Sequence, residues 1–263
     1  MTSTQGSVRR SIRLFRLFLK EQTDPELFYR ALAQDSVDQV AGYAGLPGAR
    51  VLDLGGGPGH FTEAFRAAGA RCVLVEPDLD ELSARGAPPA GAVRGDGLRL
   101  PLADGAVDIS FSSNVLEHVT APAAMLGEMI RVTRPGGLVY VAFTNWYSPW
   151  GGHEMSPWHY LGARYAERRY VRKHGRLPKN RYGTGLFPAH VGQMLRAVRG
   201  RHDVTVLDAL PRYYPRWCRH VLLIPGVREV ATWNLLLVLR RDEPPRQPTS
   251  PGPVTTTSAS SRS

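Results

Sequence analysis

The stretch Val51–Phe61, VLDLGGGPGHF, decides the fold. An apolar run carrying one carboxylate, Asp53, enters a cluster of glycines and then a helix-like segment, which is the pattern of a strand turning into a helix. Glycines at such a turn let the backbone approach a ligand closely, and the start of the helix offers free N–H groups. A triphosphate-binding loop would continue into Gly-Lys-Ser/Thr, and no lysine follows here. A dinucleotide fingerprint fits Gly55 and Gly57 but finds His60 where its third glycine belongs. What remains is Gly55-x-Gly57-x-Gly59 with Asp53 two residues ahead. An acid beside that turn suits a ligand carrying a cation better than a pyrophosphate.

Outward from this turn, strand-like and helix-like segments alternate. RVLDL, RCVLVEP, AVRGD, VDISFSSN and GGLVYVAFTN read as strands; HFTEAFRAAG, DLDELSARG and APAAMLGEMIRVT read as the helices between them. Short connections of this kind predict a parallel sheet covered on both faces. Residues 146–190, rich in Trp, Tyr, Gly, Pro and Arg, break the pattern as an insertion. A helix near Pro188–Val198 and the strands DVTVLDAL and NLLLVLRR follow, with RWCRHVLLIPGVREVA between them as two helical pieces. The proposed limits are a helical cap over residues 1–48, a catalytic domain over 49–241, and a disordered tail over 242–263.

Acids mark successive strand ends on one edge of the predicted sheet. Glu76 closes LVEP about twenty residues after the glycines, where a carboxylate can accept both hydroxyls of a ribose. Asp96 closes the third strand, Asp108 opens the fourth and Asn114 closes it.

Together VLDLGGGPGHF, LVEPD, GDGLRLPLADGAVDISFSSNVLEHV and RVTRPGGLVYVAF resemble a class I S-adenosylmethionine-dependent methyltransferase, across residues 51–145. The wider chain is similar to a group of little-characterised actinobacterial methyltransferases. The resemblance implies a Rossmann-like α/β fold with a mostly parallel seven-stranded sheet, and S-adenosyl-L-methionine as cofactor. It implies that Asp53 and the backbone of Gly55, Gly57 and Gly59 hold the methionine end. It also implies Glu76 on the ribose, Asp96 and Gly97 at the adenine, and Asn114 near the sulfonium.

A base for the acceptor is sought beyond the fifth strand, where His153 and Glu154 follow a Gly pair and are the candidate catalytic residues. His118 in LEHV reads more as a local structural residue, and His159 is a weaker candidate. No His/Cys/Asp set shows metal-ligand spacing, so no metal is expected. Trp146, Trp150 and Trp158 are expected to line the methyl-donor end of the pocket.

The net charge of +10 is concentrated in two segments. Residues 1–20 carry Arg9, Arg10, Arg13, Arg16 and Lys20 with no acid, and residues 164–181 carry eight Arg/Lys against Glu167 alone. Any electrostatic partner belongs there. The favoured acceptor is a small molecule or a lipid- or sugar-linked metabolite. The alternatives are an RNA methyltransferase using the basic, tyrosine-interleaved segment as a nucleic-acid surface, and a non-catalytic cofactor-binding regulator. Residues 8–20 read as an amphipathic helix, with Ile12, Phe15 and Leu19 on one face. That is the pattern of peripheral membrane contact or of a helix buried over the cofactor pocket. With two cysteines, no secretory signal and no apolar run long enough to span a bilayer, the expected location is cytoplasmic.

Overall fold

The apolar runs read as strands are apolar on both sides because both faces of the sheet are covered. In the computed structural model, which describes residues 7–21 and 23–243, seven strands form one sheet in the order β3-β2-β1-β4-β5-β7-β6. They are β1 (Arg50–Leu54), β2 (Arg71–Glu76), β3 (Ala92–Arg94), β4 (Val107–Ser113), β5 (Thr133–Thr144), β6 (Val204–Pro211) and β7 (Asn234–Arg241). The first five run parallel, and β7 lies antiparallel between β5 and β6. The expected strands and the helices connecting them are present, and so is the mostly parallel sheet.

Side-chain alternation sorts the core into two layers. Leu235, Leu237 and Leu239 of β7 pack with Val139, Val141 and Phe143 of β5 under α5 (Pro122–Val132) and α7 (Val191–Arg199). Their neighbours Leu236, Val238, Tyr140 and Ala142 face the other way. There they meet α2 (Pro25–Ala41) and α3 (His60–Ala67) through Phe28, Leu32, Val37, Phe61 and Phe65. Full burial of one such Leu or Phe contributes about 1.5–3 kcal/mol. α2 is therefore part of this layer: Asp24 caps it by accepting from the Leu27 N–H at 3.1 Å, and Pro25 opens it.

α1 (Val8–Phe18) is fastened to α2 by charge. Arg10 is buried and donates from Nε and Nη2 to the two carboxylate oxygens of Asp35, at 2.7 and 2.6 Å. Its Nη1 reaches the carbonyl of Arg212 at 3.1 Å. Arg10 and Leu14 thus form the inward side, and Ile12, Phe15 and Leu19 stay exposed. The expectation that Ile12, Phe15 and Leu19 are buried is corrected. The helix is rotated so that Arg10 keeps its buried partner Asp35; turning the stripe inward would strip that buried carboxylate of its cation.

Among the remaining elements are the short α4 (Leu79–Leu82), the basic α6 (Ala163–His174) and the short α8 (Val227–Ala231). The insertion has its own small core of Met155, Ala166 and Leu186, flanked by Trp146 and Tyr170. No helix among the described residues is long and apolar enough to cross a membrane. Of the expected tail, residues 244–263 lie outside the described residues.

Candidate active site

The strand order reverses between β1 and β4, so their C-terminal ends bound a crevice, the usual ligand position in such sheets. From β1, Gly55, Gly57 and Gly59 all take positive φ, at 73°, 51° and 90°. A Cβ on Gly55 would lie 2.4 Å from the Val115 side chain, so only glycine permits the turn to pass β4. At Gly57 the nearest atom to such a Cβ is 4.0 Å away, which leaves the turn open there.

Asp53 is 1% exposed and lies beneath the turn. Its Oδ2 accepts from the Thr62 hydroxyl at 2.7 Å, and its Oδ1 has no hydrogen-bond partner. Burial pushes its carboxyl up to about 7, with Thr62 opposing the shift and Glu76 adding to it. Glu76, also buried, accepts from the Gly57 N–H at 3.1 Å and the Asp78 N–H at 3.2 Å. Burial raises its carboxyl too, against those two hydrogen bonds. Asp96 is exposed, closes a local turn onto the Leu98 N–H at 2.8 Å, and precedes the buried Gly97. Asp108 sits at the opposite edge, where hydrogen bonds from Arg50 hold its carboxyl well below the usual range; it belongs to the scaffold.

At the end of β4 the backbone of Asn114 takes φ 60°. Its side chain accepts from Arg212 Nη1 at 3.1 Å and donates to Thr144 Oγ1 at 3.0 Å. Two residues on, the turn Leu116–His118 brings Glu117 and His118 beside His153 from the insertion. One ligand atom from each of these three lies within 4.8 Å of the other two. Glu117 is 2% exposed; its Oε1 accepts from the Thr144 N–H at 3.0 Å, and its Oε2 has no partner. His118 Nδ1 lies 2.6 Å from the carbonyl of Gly185. A carbonyl only accepts, so Nδ1 donates there and Nε2 is the ring nitrogen left free of that contact. The His153 ring lies edge-on to His118 with centroids 5.0 Å apart, and its Nε2 is buried without a partner. Burial lowers its pKa to about 4, against the pull of Glu117, so the imidazole is neutral at pH 7.

The chain also shows strong likeness to known proteins. The family described as "Methyltransferase domain" matches residues 52–141. An "uncharacterized methyltransferase" of Mycobacteroides abscessus is 48% identical over 250 residues, spanning 90% of this chain and 95% of its own. Another, of Mycolicibacterium vanbaalenii, is 46% identical over 248 residues, spanning 90% and 96%.

The chain belongs to the methyltransferase family.

Among solved structures, an S-adenosylmethionine-dependent methyltransferase of Mesorhizobium loti superimposes with a TM-score of 0.54 at 21% identity, covering 80% of this chain and 98% of that one. One of Archaeoglobus fulgidus gives 0.51 at 13% identity, covering 86% and 100%. The methyltransferase thus has the fold of S-adenosylmethionine-dependent enzymes, as expected.

Within this methyltransferase the candidate pair His153 and Glu154 is separated. His153 takes φ 49°, which turns successive side chains apart. His153 joins Glu117 and His118, whereas the exposed Glu154 accepts from Asn180 Nδ2 at 3.1 and 3.2 Å. The carboxylate facing His153 is Glu117, which sequence reasoning passed over inside LEHV although it adjoins a histidine at a strand end. His118, read as local structure, stands in the cluster. His159 is buried and donates from Nε2 to the Trp146 carbonyl at 3.0 Å, a structural role. The three tryptophans do not form one wall. Trp150 packs on Phe15, Phe18 and Trp233, Trp146 on His159 and Tyr182, and Trp158 lies at the surface under Arg169. Arg212, fully buried behind Asn114, had no sequence signal at all.

Proposed function

We propose that this methyltransferase moves a methyl group from S-adenosyl-L-methionine to a small acceptor that is lipid-linked or otherwise presented at a membrane surface. The crevice residues fit that cofactor: the turn is open at Gly57, and the unpartnered Oδ1 of Asp53 and the carboxylate of Glu76 are acceptors that bound donors would satisfy. Asp53 and the glycine backbone would hold the methionine end, Glu76 the ribose hydroxyls, and Asp96 with Gly97 the adenine. When bound, the cofactor supplies a methyl group made electrophilic by its sulfonium. The chain's own task is to align the acceptor with that carbon and exclude water, which is worth roughly 7–11 kcal/mol at best. Asn114, held by Arg212 and Thr144, fixes the edge of the crevice nearest the transfer.

The observation that carries the reading is the cluster of Glu117, His118 and His153 at the end of β4, roofed by the insertion. Phe187 N–H donates to the Glu117 carbonyl at 2.8 Å, and Gly185 holds His118. Unpartnered nitrogen and oxygen atoms in that position suit the activation of a nucleophilic acceptor atom. Steady-state kinetics test this. His153→Ala should lower kcat at least tenfold while cofactor affinity, read by calorimetry, stays within about twofold. Unchanged kcat would remove the cluster from the chemistry.

A second observation favours a membrane as the place where the acceptor is met. Val8, Ile12, Phe15 and Leu19 form one stripe at helical spacing and are 55, 48, 43 and 63% exposed. Arg9, Arg13, Arg16 and Lys20 are exposed on the same helical segment. The segment after β6 adds exposed Trp217, Leu223, Ile224 and Val230, with Arg216 and Arg219 among them. Trp233 connects the two regions, with its ring 6.5 Å from Phe15 and 5.5 Å from Tyr214. An apolar surface bordered by cations matches an anionic lipid interface.

A further inference from the structure

Three side chains with metal-binding atoms converge at the end of β4 from two separate parts of the chain. Glu117 and His118 come from the turn after β4, and His153 comes from the insertion after β5. One carboxylate oxygen and one nitrogen from each ring lie mutually within 4.8 Å, close enough for a single ion to be reached by all three with small side-chain adjustments. Two features of the surroundings point to a missing ligand. Glu117 is 98% buried by its 2% exposure, yet Oε2 has no hydrogen-bond partner; His153 Nε2 is likewise buried and unpartnered. Buried polar atoms are nearly always satisfied, and two orphans in one three-residue cluster call for an occupant.

The neighbouring contacts also resemble the support that metal ligands receive. His118 donates Nδ1–H to the Gly185 carbonyl, which fixes the ring and leaves Nε2 as the nitrogen available to an ion. The Thr144 N–H holds Glu117 by Oε1 and leaves the other oxygen free. His153 is held at φ 49°, a conformation that costs an ordinary residue energy and turns its ring toward the other two, away from Glu154.

We propose that Glu117, His118 and His153 form a binding site for one divalent transition-metal ion of the zinc type. Two imidazoles and one carboxylate suit zinc, cobalt, manganese or ferrous ions and not the all-oxygen preference of magnesium or calcium. Three protein ligands leave a coordination position open, as in sites that act on a bound substrate. The use of the ion rests on the methyl-transfer reading above: it would take an ionisable oxygen of the acceptor and favour its deprotonated form. Its binding does not depend on that reading.

The test uses untagged, full-length protein freed of metal with a chelator and then dialysed. Titration with Zn²⁺ should show one ion per chain by calorimetry. Titration with Co²⁺ should produce visible ligand-field bands of a site with fewer than six ligands, and added Zn²⁺ should erase them. Zn²⁺ should raise Tm, and Mg²⁺ at the same concentration should not. Each of Glu117→Gln, His118→Ala and His153→Ala should weaken Zn²⁺ binding at least tenfold, and Glu154→Gln should bind as the wild type does. Circular dichroism identifies any variant that fails to fold, in which case the Co²⁺ spectrum of the wild type decides alone. Binding well below one ion per chain, an octahedral Co²⁺ spectrum, or equal Zn²⁺ affinity in all folded variants would overturn the site. Calorimetry with S-adenosylmethionine on the metal-free protein reports separately on the methyl-transfer reading, so the two can fail independently.

Discussion

Arg212 reaches Asn114 from inside the protein: a fully buried guanidinium donates to the Asn114 Oδ1 at 3.1 Å and to the Ser113 and Ser36 hydroxyls at 2.7 and 2.8 Å, and it lies over the rings of Tyr140 and Tyr213. Its hydrogen-bond acceptors are neutral, and the planar fork lets one side chain serve three of them at once. Arg212→Lys keeps the charge but cannot span Ser36, Ser113 and Asn114 together. It should cost about 1–3 kcal/mol in denaturant unfolding, and kcat should fall as Asn114 loosens. Wild-type stability in that variant would show that the network contributes nothing.

Glu76 ties the ligand-facing edge to the glycine turn through Gly57. Glu76→Ala should weaken S-adenosylmethionine binding by roughly 1.5–3 kcal/mol, the worth of charged hydrogen bonds to hydroxyls. Glu76→Gln retains an acceptor for the Gly57 N–H and should fall between the two. Calorimetry measures both, and undiminished affinity in the alanine variant would remove the ribose assignment.

The turn and its carboxylates were legible in the sequence because they are local. Strand, glycines and helix start follow one another within eleven residues, and glycine is required where φ is positive. The strands were legible as well, since a run such as Leu235–Leu239 must bury both of its sides. The cluster of Glu117, His118 and His153 was not. Glu117 and His153 are far apart in the chain, and what unites them is a positive φ at a non-glycine residue, which no residue pattern announces. The rotation of α1 was hidden for a similar reason: it is set by Asp35 on another helix capturing Arg10.

Asp53 makes stability depend on pH in a particular direction. Its folded-state carboxyl is raised to about 7 by burial. The unfolded chain therefore ionises at lower pH than the fold does, and stability is lost as pH rises from about 4 to about 7. Asp53→Asn, which still accepts from Thr62, lacks this titration. Its stability relative to the wild type should improve by up to roughly 4 kcal/mol between about pH 4 and pH 8 in ligand-free protein. Denaturant midpoints across that range check it, and a constant difference would mean that Asp53 titrates normally.

The exposed stripe on α1 predicts salt-sensitive binding to anionic vesicles, at about 1 kcal/mol for each basic residue near the surface. Ile12→Asp with Leu19→Asp should abolish flotation with phosphatidylserine vesicles and leave the fold intact, because both side chains are exposed. Equal recovery in the soluble fraction with and without vesicles, for the unaltered protein, would exclude the membrane reading. Binding to RNA instead, retained in the double variant, would move the partner to the basic α6.

The placement of β7 bears on how the protein is made. Among the described residues, the last strand is not at an edge but between β5 and β6, and β6 pairs with no other strand. While residues 234–241 are still being synthesised, β5 keeps an open edge and β6 has nowhere to dock. A nascent chain can assemble the glycine turn and the parallel half of the sheet early, yet it must carry an unpaired apolar edge until β7 emerges. An open edge of that kind invites pairing with other chains. Translation that pauses shortly before Asn234 therefore exposes this protein to aggregation at the moment when its ligand crevice is already largely formed.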